Sequence, residues 1–161
     1  MRKITVGFSR PKGKIFPVFS WAIRAYQGWT DYSHTYVKFT SSSLGRDIVY
    51  QASGLQVNFI GSKLFYDHVH VIDEFEFEVT DEAYKKVMQF CIDNAGKPYS
   101  MRDIFAILLK IDKLLDGNKK FICSELVAHI LQDCINISCE KAPGLVTPKD
   151  LYSLLKSLFR D

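Results

Sequence analysis

Hydrophobic and polar positions along this chain change period once. Over residues 3–9, Ile4, Val6 and Phe8 alternate with Lys3, Thr5 and Gly7, the period-two pattern of a strand with one buried face. Pro11 and Gly13 interrupt it, and Phe19, Ile23 and Tyr26 then recur at helical spacing over residues 16–26, with Gly28 as the stop. Alternation resumes over 34–40, with His34, Tyr36 and Lys38 on one face and Thr35, Val37 and Phe39 on the other. Turn residues from Ser41 to Gly45 lead into a strand over 47–52, which predicts a hairpin. Leu55, Val57 and Phe59 alternate as well, and so do Phe75, Phe77 and Val79, so an antiparallel sheet is expected in the middle of the chain.

Beyond Thr80 the period becomes helical. Thr80 is placed as an N-cap, Asp81 and Glu82 suit the positive end of a helix, and Tyr84, Val87, Met88 and Cys91 form its apolar stripe up to Gly96. Ser100 and Asp103 have capping-box spacing, followed by Ile104, Ile107, Leu108, Ile111 and Leu115. A further helix starts at Cys123 and carries Leu126, Val127, Ile130 and Leu131. Thr147 and Pro148 announce a last one, faced by Leu151, Leu154, Leu155 and Leu158. The expected fold class is α+β, in one domain over residues 1–161, with no repeat or linker to divide it.

Composition narrows the class. The 161 residues are 47% hydrophobic and 24% charged, ordinary values for a globular domain and wrong for a disordered or fibrous one. No apolar run approaches the ~20 residues of a membrane span. Arg10, Pro11, Lys12 and Lys14 interrupt the start where a signal peptide has its apolar stretch, so the expected location is cytoplasmic or virion-associated. The net charge of +3 is unevenly spread: Arg2, Lys3, Arg10, Lys12, Lys14 and Arg24 precede the first acidic residue, Asp31, while Asp73, Glu74, Glu76, Glu78, Asp81 and Glu82 crowd one stretch. A solvated face explains this best, because no basic run is interleaved with aromatics as nucleic-acid binding prefers. No nucleic-acid partner is expected.

Cys91, Cys123, Cys134 and Cys139 have neither the spacing of a zinc site nor the export context of a disulfide framework, so no metal or cofactor is expected. Cys123 stands apart, because it sits where a loop with Gly117 and Asn118 gives way to an amphipathic helix. Unpaired N–H groups and the dipole at a helix start favour a thiolate, and the same groups can steady an oxyanion. A thiol nucleophile needs a base. His129 lies six positions along the same helix, about 240° around its axis, and points elsewhere. His68 and His70 are expected on one strand face, without further metal ligands. His34 opens a strand, where a side chain emerges from a rigid scaffold.

Ser33-His34-Thr35-Tyr36-Val37, Val49-Tyr50-Gln51-Ala52, Gly96-Lys97-Pro98-Tyr99 and Cys123-Ser124-Glu125-Leu126-Val127, in that order, resemble the NlpC-like cysteine hydrolases. With the histidine strand before the cysteine helix, the chain is similar to the circularly permuted papain-fold group of YiiX/YaeF-like amidases, of which lecithin:retinol acyltransferase is a distant member. The resemblance runs from Ile4 to about Leu155. It implies Cys123 as nucleophile, His34 as base, Gln51 as the residue that orients His34, and Tyr99 as a substrate or oxyanion donor. Relatives often carry His, Glu or Asn at the position of Gln51, whose carbonyl accepts an imidazole N–H without adding charge. The closing helix after Thr147-Pro148 is read as structural, and the segment 101–120 as an insertion that walls a groove or packs.

The implied activity is hydrolysis of an amide, or of an ester or thioester, through an acyl-enzyme and without metal or organic cofactor. The implied substrate is a peptide or acyl-amide, derived from cell wall or from lipid, with peptidoglycan stems leading. A lipid acyltransferase or thioesterase of the same fold is the enzymatic alternative. A binding module that has lost turnover is the alternative from another class, and it predicts a blocked cleft or a Cys123 sulfur far from His34.

Overall fold

The computed structural model describes residues 1–13, 17–41, 45–53, 56–98 and 122–159. Its frame is a five-stranded antiparallel sheet of order β4-β3-β2-β1-β5. The strands are β1 (Arg2–Pro11), β2 (His34–Ser41), β3 (Arg46–Ser53), β4 (Gln56–Gly61) and β5 (Val69–Val79). Helix α1 (Pro17–Tyr26) bridges β1 and β2, α2 (Ser62–His68) bridges β4 and β5, and α3 (Asp81–Asn94) follows β5. Helix α4 (Cys123–His129) runs directly into a π turn over Ile130–Cys134, and α5 (Pro148–Leu158) closes the described chain. The protein is thus α+β. The expected helix after Ser100, Leu55 of the expected third hairpin strand, and Tyr99 lie outside the described residues.

Side-chain alternation decides how the layers stack. Ile4, Val6 and Phe8 pair with Phe39, Val37 and Thr35 across β1 and β2, which puts all six on one face. That face packs on α3, α4 and α5 through Val87, Cys91, Leu126, Val127, Ile130, Leu131, Leu151 and Leu155, all fully buried. Burying each aliphatic side chain contributes about 1.5–3 kcal/mol, so the stripe on α4 and its π turn fixes that helix firmly to the sheet. Thr80 caps α3 by accepting from the Ala83 N–H at 3.1 Å, and Thr147 caps α5 through a capping box with Asp150.

The opposite face is smaller, with Tyr36, Val49 and Phe65 buried beneath α2. Helix α2 is absent from the periodicity reading because Phe65 is its one buried residue, too little to make a stripe. Its presence corrects one expectation: His68 ends α2, with its Nδ1 2.8 Å from the Leu64 carbonyl, while His70 belongs to β5, so the two do not share a strand face. Here too the uneven charge is explained. β1 and β5 are neighbours, so basic and acidic stretches meet as Arg2–Asp81 at 3.0 Å and Lys3–Glu76 at 2.6 Å.

Gly7 is required at its place. It faces Tyr36 on one side and Glu74 on the other, and a β-carbon there would overlap Cζ of the Tyr36 ring. Without that carbon the Tyr36 phenol crosses β1 and donates to Glu74 Oε1 at 2.8 Å. No helix among the described residues is long and apolar enough to cross a membrane.

Candidate active site

Strands β2 and β3 pair from Ser41–Arg46 as far as Val37–Tyr50 and no further, although β2 reaches back to His34 and β3 runs on to Ser53. The two strand ends therefore part, and α4 packs against both. Its first residue, Cys123, accepts a hydrogen bond at sulfur from the backbone N–H of Thr35, the residue after His34. Across the parted ends, His34 Nε2 lies 2.8 Å from Gln51 Oε1. A carbonyl oxygen only accepts, so this bond places the imidazole proton on Nε2 and leaves Nδ1 with its lone pair.

Local sequence sets up each member. Ile122, in extended conformation, is the N-cap of α4, which leaves Cys123 at the first helical position. The Glu125 carboxylate turns back towards the Ile122 N–H at 3.4 Å. Ser33 is held by a 2.7 Å hydroxyl contact with Ser20 of α1, and its N–H donates to the Ser9 carbonyl at 3.1 Å. The start of β2 is thereby fixed from both sides, and His34 is presented from rigid backbone.

The electrostatics are those of a neutral pair. Burial lowers the His34 imidazole to about 4, against the opposing pull of Gln51. Burial also raises the Cys123 thiol, while N–H groups of Thr35, Ser124 and Cys123 itself oppose the rise. Of the four cysteines only Cys123 has backbone donors working against burial; Cys91, Cys134 and Cys139 are raised without them. The expectation of a thiol lowered by a helix start is thus corrected: donors are present, but at 4% exposure desolvation outweighs them. At neutral pH the site holds a thiol and a neutral imidazole.

The structure brings Cys123 to the backbone beside His34, and His34 to Gln51. Tyr99 lies outside the described residues. His129, set aside for its helical angle, contacts Asp133 at 2.8 Å on the far side of its own helix turn. Thr35 went unnoticed in the pattern because its contribution is a backbone N–H, which no side-chain period reports. Among the described residues no cluster of three His, Cys, Asp or Glu could hold a metal ion. A cleft of about 300 Å³ along α5, spanned by the Lys141–Asp150 ion pair, shares no residue with this site. Set against known proteins, the chain matches no family model and no curated protein.

Proposed function

We propose that the protein is a cysteine hydrolase with a permuted papain-like scaffold, cleaving an amide in a peptide or acyl-amide substrate such as a cell-wall stem peptide. The observation that carries this reading is the Thr35 backbone N–H acting on the Cys123 thiol, one residue along β2 from an imidazole whose Nε2–H is held by Gln51. His34 Nδ1 takes the thiol proton as sulfur attacks the carbonyl carbon. The resulting oxyanion is met by the Cys123 N–H, with Tyr99 as the second donor that the resemblance implies. The imidazolium returns its proton to the departing amine, the C–N bond breaks, and an acyl-thioester remains. Water, deprotonated by the same imidazole, releases the acid.

Because both groups rest neutral, the proton moves during attack rather than before it. Iodoacetamide labelling read by mass spectrometry, together with digestion of purified peptidoglycan, tests the reading. The expected result is selective carboxamidomethylation at Cys123 and loss of hydrolysis in Cys123→Ala; turnover that survives the substitution ends it. A second reading, a binding module that keeps the scaffold without turnover, draws on the 4% exposure of Cys123. It predicts tight retention of intact substrate by wild type and Cys123→Ala alike, with no product from either.

A further inference from the structure

Helix α1 is apolar nearly all round, since only Ser20 and Arg24 are polar between Pro17 and Tyr26. A helix of that composition is normally buried. Here none of the side chains from Ser20 to Tyr26 is fully covered, and Trp21 is 57% and Tyr26 40% exposed. The chain leaves the helix through two consecutive left-handed residues, Gly28 at φ 81° and Trp29 at φ 64°. Glycine adopts that region freely, whereas a bulky aromatic rarely does. The turn brings the Trp29 indole back against Trp21, edge to face with ring centroids 5.4 Å apart, and leaves it 60% exposed. Disfavoured backbone is thus maintained at a residue whose large apolar ring gains little burial from it.

Cations gather at the C-terminal end of α1 and its turn. Arg24 rises from the helix itself, its Nε donating to the Thr30 carbonyl at 2.6 Å. The Lys149 ammonium donates to the Gln27 carbonyl at the helix end, 2.9 Å away. Arg10 stands 3.6 Å from Asp31, the carboxylate of the group. Arg2 and Lys3, at the other end of β1, are already paired with the acidic strand. The Ser20–Ser33 contact places the helix beside the His34 end of the sheet.

We propose that α1 and the Trp29 turn form an interfacial anchor that seats this end of the protein on an anionic phospholipid bilayer. Indoles and a phenol favour the boundary between water and acyl chains, and neighbouring Arg and Lys meet the lipid phosphates. A ten-residue helix lies in that layer and does not cross it. A second copy of the chain fits less well, because the cations would face one another. A glycan fits less well too, because one indole edge covers the other's face and Ala22, Ile23 and Ala25 supply aliphatic surface.

Trp21 and Trp29 are the two tryptophans of the chain, so selectively excited tryptophan emission reports this surface alone. The full chain is titrated with vesicles of phosphatidylcholine and phosphatidylglycerol, and with phosphatidylcholine alone. The mixed vesicles are expected to shift emission to the blue and to co-sediment the protein. Trp21→Ser with Trp29→Asn is expected to weaken co-sedimentation at least about tenfold without lowering the melting temperature, since Asn tolerates positive φ. Arg24→Gln and Lys149→Gln each weaken binding to mixed vesicles about fivefold. Cys123→Ala binds as wild type does, so failure of the hydrolase reading leaves the anchor standing. Absence of a shift on the mixed vesicles overturns the anchor. So does equal partition of the double tryptophan variant, preferential retention on insoluble cell wall, or a concentration-dependent dimer that alone accounts for the blue shift.

Discussion

Two polar clusters share strand β2, and they treat burial in opposite ways. On the α2 face the Glu74 carboxylate accepts from Tyr36 at 2.8 Å, Tyr66 at 3.1 Å and Lys38 at 2.6 Å. Burial pushes the Glu74 carboxyl up, but Lys38, Tyr36 and Tyr66 together outweigh it and the net shift is downwards. Two residues away along the strand, His34 has one neutral partner and rests uncharged. Opposite it on β1, the buried hydroxyl of Ser9 has no hydrogen-bond partner among the described residues. A cluster that serves only the fold is expected to be saturated and charge-balanced. The second cluster keeps one unpaired hydroxyl and an uncommitted lone pair, which is the condition for accepting a proton.

Removing one reactive atom sets the upper limit of that difference. Cys123→Ala is expected to lower kcat by about 10⁴-fold, with the melting temperature nearly unchanged, because a small buried thiol gives way to a methyl. Tyr36→Phe, which breaks the other cluster, should leave kcat within about twofold while it lowers stability by about 1 kcal/mol. Kinetics and thermal melts on both variants separate the two roles; a large loss of activity in Tyr36→Phe would merge them.

The saturated cluster has its own weak point at Gly7. A β-carbon at Gly7 collides with the Tyr36 ring, so Gly7→Ala must displace the phenol from Glu74 or bend β1. The expected cost is about 3 kcal/mol, measured by urea unfolding, and it should largely disappear in a Tyr36→Ala background. Persistence of the full cost in that background would show that the strain lies in the backbone.

How far the sequence announced these features depends on which physical signal each leaves. Ile4, Val6 and Phe8 against Val37 and Phe39 are strict alternations, and they gave the sheet. Thr80, Thr147 and Pro148 are caps with side-chain chemistry, and they gave the starts of α3 and α5. Helix α2 left no stripe, and β5 begins with Val69-His70-Val71, which reads ambiguously next to a helix end. Cys123 and His34 could be singled out by position and motif. The parting of β2 from β3 could not, because it is an absence of pairing beyond Val37–Tyr50. By period alone Gln51 reads as an ordinary strand residue; the resemblance singles it out, and its Oε1 lies 2.8 Å from His34 Nε2.

Acid should reveal the neutral cluster thermodynamically. The folded imidazole titrates at about 4 and the unfolded one near 6.5, so the unfolded chain takes up its proton first. The stabilisation tied to neutral His34 is therefore complete above pH 6.5 and is lost as the pH falls to about 4. Its size is on the order of 3 kcal/mol, and His34→Asn should flatten that part of the stability profile. Denaturant melts across pH 4–7 check it; parallel profiles for the two proteins would mean that His34 titrates alike folded and unfolded.

The smallest change tested turns one cluster partly into the other. Gln51→Glu keeps the length of the side chain and its acceptor but gives His34 an ionised partner, as Lys38 has in Glu74. A nearby carboxylate favours imidazolium, so the acid limb of kcat/KM should move up from about pH 4 by roughly one to two units. If His34 serves Cys123 as proposed, its imidazolium also favours thiolate, so alkylation of Cys123 by iodoacetamide near pH 6 should accelerate. Both shifts follow from one bond, the 2.8 Å contact between Nε2 and Oε1. An unmoved acid limb in a folded Gln51→Glu protein would show that this bond does not govern the base.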